Sequence, residues 1–222
     1  MKKALKTLLV LAMLCAITIT LVGCGNDENT NKDNTVNNQS NVNNESEGKT
    51  VEISRGEWQG NKYVNEYAEV TFNMPEGWAK YSDEEIAQLM NIGVEALNKD
   101  QQDIAELLEQ TAVYGMVVND PATAANVMLM IEKPVLKVTP EYYLSSVKQQ
   151  LEAVEGIDYE PGEPYKAELG DDEFYRLDAE AEFSGISMGQ HYFIKAIDDC
   201  IVGIIVTTTG EGQIDEIVKC FE

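Results

Sequence analysis

Two segments of the chain are apolar at nearly every residue, Val127–Ile131 and Ile201–Val206. A strand of this composition needs apolar cover on both faces, because a strand with one wet face alternates between apolar and polar residues. Helical segments elsewhere in the chain can supply that cover. The sequence therefore predicts an α+β fold, with a mainly antiparallel β-sheet between helical layers.

The other predicted elements follow from hydrophobic periodicity and helix-capping signals. A hairpin between Glu57 and Met74 comes first, and the capping box that begins at Ser82 starts a helix that is broken or bent near residue 99 and continues to about 108. Thr139 caps a second helix, and a third begins near Gln213. Six later strands are predicted: Val113–Val118, Asn126–Ile131, Tyr165–Leu169, Phe174–Phe183, Gln190–Ile197 and Cys200–Thr209.

The composition changes near residue 50 and divides the chain into a spacer and a domain. Residues 25–50 contain nine asparagines and no aromatic residue, so they cannot bury enough apolar surface to offset the entropy of ordering. We expect residues 24–50 to be a disordered tether that reaches roughly 25–30 Å on average and roughly 90 Å at full stretch. Residues 51–222 are long enough for one globular domain with a single core.

The N-terminus has the order of a secretory signal. Three lysines precede an apolar run from Thr7 to Gly23, and Leu21-Val22-Gly23-Cys24 resembles the lipobox of bacterial lipoproteins. That resemblance implies removal of residues 1–23 as a signal peptide and covalent attachment of diacylglyceryl and N-acyl lipid to Cys24. Several acyl chains would anchor the protein stably to the outer face of the cytoplasmic membrane, as at the surface of a Gram-positive type bacterium. An uncleaved membrane helix and an ordinary cleaved signal are the alternatives.

The charge of the chain restricts its partners. The formal net charge is −23, and loss of the predicted signal peptide removes three lysines and no acid, which makes it −26. Such a protein is repelled by nucleic-acid phosphates and by anionic lipid head groups. We therefore expect no nucleic-acid partner and a membrane contact that depends on the lipid, while basic partners are favoured.

Two cysteines remain in the predicted domain, Cys200 and Cys220. An exported pair can form a disulfide. However, Cys200 starts a strand of about 30 Å, and the helix that follows returns only about 10–15 Å before Cys220. Two buried free thiols are therefore expected, with the disulfide as the alternative.

The segment Phe72-Asn73-Met74-Pro75-Glu76-Gly77-Trp78 and the order of the predicted elements suggest a family. They resemble the Mog1/PsbP-like α/β/α sandwich, which small lipoproteins of Gram-positive bacteria also carry. The resemblance implies a binding or assembly module without shared catalytic residues. A likeness of fold does not by itself determine function.

Gly185-Ile186-Ser187-Met188-Gly189 fits the G-x-S-x-G pattern of serine hydrolases. In those enzymes a helix follows the serine and a histidine base approaches it. Here a strand is predicted after Ser187, and the single histidine, His191, lies four residues along it and is expected to be solvated. Two glycines and a serine are also ordinary hairpin residues, so a hydrolase based on Ser187 is the lesser alternative.

The sequence contains no clear metal site. One histidine and two thiols do not make a usual zinc or copper site. A calcium loop could begin at Asp27, but Lys32 replaces its glycine and Asn38 its bidentate glutamate. We predict no metal and no cofactor other than the covalent lipid, with a calcium- or small-ligand-binding surface as an alternative.

Aromatic residues provide the remaining candidate surface. Trp58, Tyr63 and Tyr67 in the opening hairpin, with Tyr142 on a helix flank, are a possible partner surface, because Trp and Tyr are enriched at binding hot spots. Burial against the domain's own helices is the competing interpretation. Together these observations predict a lipid-anchored, extracytoplasmic, non-enzymatic module that binds a protein or an envelope component.

Overall fold

In a computed structural model of the chain, the residues that can be described are 53–88, 112–134, 136–154, 157–183 and 185–222. The predicted signal peptide, the lipobox with Cys24 and the tether lie outside them, and so does the predicted helix beyond residue 88. Among the described residues, no helix combines the length and the apolar character needed to cross a bilayer.

The described strands form two separate sheets. The smaller one has the order β1-β2-β3 and consists of β1 (Glu57–Gln59), β2 (Lys62–Asn65) and β3 (Val70–Asn73). The larger sheet has the order β4-β5-β6-β11-β10-β9-β7, with β8 also paired to β9. Its strands are β4 (Ala79–Lys80), β5 (Ala112–Asn119), β6 (Asn126–Glu132), β7 (Asp158–Pro161), β8 (Tyr165–Leu169), β9 (Asp172–Phe183), β10 (Ile186–Ile197) and β11 (Cys200–Thr208).

All strand pairs in both sheets are antiparallel, which confirms the prediction of a mainly antiparallel sheet. The central strands β6 and β11 are buried at every residue, as their continuous apolar composition requires. Neighbouring chain segments therefore cover both faces of the large sheet.

Helices cover one face. Residues 83–88 are helical and contribute Ile86, while α1 (Pro140–Glu152) buries Tyr143, Leu144, Val147 and Leu151. The predicted cap is present, because the Thr139 side chain accepts a hydrogen bond from the Tyr142 backbone N–H at 3.2 Å. This helical layer agrees with the prediction from the sequence.

The opposite face is covered differently. The small sheet β1-β2-β3 and the six-residue helix α2 (Gln213–Val218) pack there, and Phe72 of β3 contacts Phe221 with ring centroids 4.9 Å apart. The predicted hairpin thus gains a third partner strand and becomes part of the cover. On the described residues the α/β/α arrangement is not confirmed, because most of this layer is sheet.

The sequence pattern did not predict β7. Its residues are Asp-Tyr-Glu-Pro, which alternate only once and end in a proline, so the pattern gives no clear strand signal. Pairing with the second half of β9 makes it a strand at the edge of the sheet.

Both cysteines of the domain are free, as expected. Cys200 is buried, but Cys220 is only half-buried, which differs from the prediction of two buried thiols. The Cys220 Sγ lies 3.5 Å from the carbonyl oxygen of Glu216, and burial is the main cause that raises the pKa of this thiol.

Candidate functional site

The pairing of β9 with β10 places His191 directly opposite Asp178. The His191 Nδ1 lies 2.6 Å from Oδ1 of Asp178. Because an ionised carboxylate can only accept, the imidazole donates through Nδ1. His191 is only 6 % exposed, so the prediction of a solvated histidine was wrong. Its charged neighbour across the strand pair makes this burial possible.

Two further side chains complete the hydrogen bonding of Asp178. The Arg176 Nε donates to Oδ1 at 2.8 Å, and the Tyr165 hydroxyl of β8 donates to Oδ2 at 2.7 Å. The Arg176 guanidinium also lies 4.9 Å from the Phe193 ring centroid, within cation–π range. One carboxylate therefore holds together side chains from three adjacent strands.

The hydrogen bonds dominate the acidity of this carboxyl group. Burial raises the pKa of Asp178, but the donors His191, Tyr165 and Arg176 outweigh burial and lower the pKa to about 2. The pKa of Tyr165 shifts upward instead. Burial and the hydrogen bond to Asp178 raise it to about 12. Asp178 is therefore ionised at every physiological pH.

The other imidazole nitrogen faces a hydroxyl group. The His191 Nε2 lies 3.2 Å from Thr208 Oγ1, so carboxylate, imidazole and hydroxyl stand in the order used by hydrolytic triads. Thr208 is only 5 % exposed, and a nucleophile must reach its substrate. The arrangement satisfies buried polar groups rather than presenting a reactive hydroxyl.

Ser187, the serine of the G-x-S-x-G pattern, lies inside β10 on its exposed part. Its partner across the strand pair is Glu182. His191 lies four positions further along the strand, about 13 Å from Ser187. Its imidazole is already hydrogen-bonded to Asp178. The strand after the serine agrees with the prediction, and in the described part of the chain His191 is not placed to act as a base for Ser187.

Four exposed carboxylates lie beside this network on the same face of the sheet, beyond the area that the small sheet covers. Asp158 stands opposite Glu182, and Glu160 stands opposite Glu180. We call these four residues the acidic quartet. Like charges directly opposite one another on neighbouring strands are destabilising, so this surface has a strong negative potential at a cost in stability.

Acidic side chains near the turns of the domain are candidate calcium ligands, because calcium prefers carboxylate oxygens, and two of them pair with lysines. Asp172 pairs with Lys195, whose Nζ lies 2.5 Å from Oδ2, and Asp199 lies 3.4 Å from the Lys137 Nζ. Within the described ranges, no group of three or more His, Cys, Asp or Glu side chains is placed to hold a metal ion. The possible calcium loop at Asp27 lies outside those ranges.

The structure does not bring the four predicted surface aromatics together. Tyr63 and Tyr67 are buried, at 0 % and 6 % exposure, because they form the core between the small sheet and the large one. Trp58 is half-buried, with the Lys80 Nζ 3.9 Å above its ring. Tyr142 is exposed, but it belongs to α1 on the other side of the large sheet. The partner surface proposed from these residues is therefore wrong for Tyr63 and Tyr67.

The Asp178 network was missed, although the sequence contained a signal for it. Arg176 and Asp178 fall on the same side of a predicted strand, and a hairpin turn after Phe183 pairs Asp178 with His191 by register. The predicted strand starts at Gln190, whereas β10 starts at Ile186. A hairpin with the predicted bounds has a different register, so it does not pair Asp178 with His191.

Comparisons with known proteins show remote similarities. No protein-family model matches the chain, and no curated protein matches its sequence. Among solved structures, a protein from Bacteroides thetaiotaomicron is similar over 74% of this chain, with 12% identity and a TM-score of 0.39. The similarity spans 48% of that protein, about half of its length.

Two other solved structures show similarity of the same order. The cyanobacterial PsbP (CyanoP) of Synechocystis has 11% identity and a TM-score of 0.45, and the match covers 72% of this chain and 90% of CyanoP. LpqN, described as involved in cell envelope biogenesis of Mycobacterium tuberculosis, has 10% identity and a TM-score of 0.37. That match covers 68% of this chain and 76% of LpqN. With TM-scores below 0.5, none of these similarities assigns a family or a function.

Proposed function

We propose that this protein is a lipid-anchored extracytoplasmic binding module, without catalytic activity, that holds a cationic protein or envelope component against its acidic quartet. Lipid on Cys24 would keep the domain at the outer face of the cytoplasmic membrane, and the tether would let it move within roughly 90 Å of that surface. The proposal for the anchor depends on the lipobox residues Leu21-Val22-Gly23-Cys24.

The observation that carries the binding role is the pairing of like charges on an exposed strand pair. Asp158 faces Glu182 and Glu160 faces Glu180, and all four are exposed. Repulsion between directly opposed carboxylates costs roughly 0.2–1 kcal/mol for each pair. A cationic partner would remove that repulsion and would be attracted by the net negative charge of the chain, −23 before and −26 after loss of the predicted signal peptide. The binding energy would therefore be concentrated on this part of the sheet.

The surroundings of the quartet suit a protein partner. Tyr165 is 43 % exposed, and it belongs to β8, which pairs with β9 on the side of Asp178. Tyrosine is enriched at protein interfaces because one ring offers apolar area and a hydroxyl group. The Asp178 hydrogen bond fixes the position of the Tyr165 hydroxyl, which lowers the entropy cost of using this ring in a contact.

Crosslinking of the lipidated protein in native membranes tests the binding role. In the test variant D158N/E160Q/E180Q/E182Q the quartet is neutral. The control variant E66Q/E76Q/E84Q/E211Q loses four exposed carboxylates elsewhere, so both variants have the same net charge. We expect wild type and control to capture the same component and the quartet variant to lose it. Equal capture by all three forms would contradict the proposal, and so would the absence of any component specific to wild type.

Two further measurements separate the alternatives. Millimolar calcium should leave the melting temperature of wild type unchanged; a rise that the quartet variant lacks would favour a calcium-binding surface instead. A serine-reactive phosphonate should label neither Ser187 nor Thr208, because His191 is engaged with Asp178 rather than with Ser187 and Thr208 is buried. Stoichiometric labelling that Ser187→Ala abolishes would establish a hydrolase.

A further inference from the structure

The last residue of β6, Glu132, is a carboxylate inside the apolar layer beneath α1. It is 1 % exposed. Its neighbours in register are Ala112 on β5 and Ile201 on β11, and both are apolar. A carboxyl group in such surroundings needs hydrogen bonds or a counter-charge to remain ionised.

A side chain of α1 donates a hydrogen bond to Glu132. The Tyr143 hydroxyl donates to Oε2 at 2.9 Å, and Tyr143 is itself 1 % exposed. The second oxygen, Oε1, is buried and has no hydrogen-bond partner among the described residues. An ionised carboxylate accepts several hydrogen bonds when it is well solvated, so this site supplies less than the charged form requires.

Among the residues that the structure describes, no positive charge compensates for this deficit. Of the ion pairs in the described part of the chain, none includes Glu132. Lys133 follows in sequence but is exposed, and Lys137 pairs with Asp199. In the described ranges, the titratable groups that face the site include Tyr143 from α1 and Tyr114 from β5, which lie on the same side of the sheet. Tyr143 is neutral near pH 7, because burial raises its pKa well above the ordinary value for a tyrosine.

These surroundings favour the protonated form of the Glu132 carboxyl group. Burial raises the pKa of Glu132 from 4.5 to about 7, although the Tyr143 hydrogen bond lowers it slightly. When the site opens to water the ordinary value returns. The closed form therefore becomes progressively less stable, relative to the open form, as the pH rises from about 4.5 to 7, and above about 7 the loss is complete.

We infer that Glu132 and Tyr143 form a protonation-dependent latch between α1 and the sheet. With a proton on Glu132, the Tyr143 hydroxyl and the apolar side chains of α1 hold the helix in place. Ionisation leaves a buried charge with a single donor, and transient detachment of α1 lets water solvate it. The latch makes α1 a local element whose opening depends on pH, independently of the acidic quartet on the other face.

Hydrogen exchange of the α1 amides tests this inference on the full chain. After correction for the intrinsic exchange rates, the opening equilibrium should rise about tenfold between pH 6 and pH 8 and change little between pH 8 and pH 9. The plateau distinguishes Glu132 from a general loss of stability in base. In Glu132→Gln, a neutral residue of the same shape, the opening equilibrium should be independent of pH over this range.

Glu141→Gln is the matched control, because Glu141 is an exposed acid in the first turn of the same helix. It should keep the tenfold rise. A pH-independent opening in wild type would overturn the latch, and so would a rise that persists in Glu132→Gln. Should Glu132→Gln fail to fold, titration of the wild-type Glu132 carboxyl carbon by NMR decides the question: a midpoint below pH 5 contradicts the inference.

Discussion

The imidazole of His191 and the carboxylate of Asp178 are joined by a hydrogen bond of 2.6 Å across β9 and β10. This contact explains how the single histidine of the chain is buried in a strand whose neighbour alternates between apolar and charged residues. It also fixes the tautomer, with the proton on Nδ1, so that Nε2 accepts from Thr208.

Removal of the Asp178 charge should destabilise the domain. In Asp178→Asn the side chain retains its shape, but Arg176 and His191 lose their common anion, and a buried donor is left poorly satisfied. We expect a loss of about 1–3 kcal/mol in the free energy of unfolding, measured by urea denaturation. Asp199→Asn, in an exposed pair with Lys137, should cost under about 0.5 kcal/mol. Equal effects of the two changes would show that the network does not matter.

Stability should fall in acid through the same group. The folded pKa of Asp178 is lowered to about 2, below the unfolded value of about 3.9. The stabilisation is therefore fully present above about pH 4 and is lost as the pH falls toward 2. Urea denaturation at pH 5, 4 and 3 should show a decline in wild type that is smaller in Asp178→Asn. Parallel curves for both proteins would mean that other carboxyl groups cause the decline.

Gly189 should be intolerant of a side chain for steric reasons. A Cβ at this position would lie 2.8 Å from Thr208 Oγ1 and 3.0 Å from His191 Nε2, so Gly189→Ala should push these groups apart. We expect a cost of about 1–3 kcal/mol in urea denaturation. Ser187→Ala, on an exposed position of the same strand, should change stability by under about 0.5 kcal/mol. A neutral Gly189→Ala would show that the contact is loose.

Neutralising one side of the acidic quartet should stabilise the isolated domain. The double variant E180Q/E182Q removes both opposed like-charge pairs, and we expect a gain of roughly 0.4–2 kcal/mol at low salt. The gain should shrink as salt screens the exposed charges. Glu76→Gln, an exposed turn residue, serves as the control and should give little change. A loss of stability at low salt would mean that the four carboxylates are not repelling one another.

Membrane attachment should depend on one thiol. Cys24→Ala should release the protein from the membrane fraction and abolish labelling by a palmitate analogue. Without the Cys24 thiol no lipid can be attached there, and stable anchoring requires more than one acyl chain. Cys200→Ala and Cys220→Ala are the matched controls and should remain in the membrane fraction. A membrane-bound Cys24→Ala protein that retains residues 1–23 in its intact mass would indicate an uncleaved membrane helix instead.

The sequence alone predicted the elements that depend on local pattern. The continuous apolar composition of Val127–Ile131 identified a strand of the sheet centre, which burial on both faces confirms. The Thr139 cap located the start of α1, since a cap requires only residues within one turn. Alternation likewise identified the charged side of β9. These signals are local, because each reflects the environment of one strand or one turn.

The tertiary structure decided everything that depends on which segments meet. Nothing in residues 57–73 shows that they form a separate sheet over one face and bury Tyr63 and Tyr67. Asp-Tyr-Glu-Pro becomes β7 only because β9 offers it an edge, and that pairing creates the acidic quartet. In the sequence, Glu132 is indistinguishable from an exposed acid at the end of a strand. Only the packing of α1 against the sheet brings it into contact with Tyr143. The physical reason is that burial and charge proximity are properties of contacts between distant segments, which local periodicity does not encode.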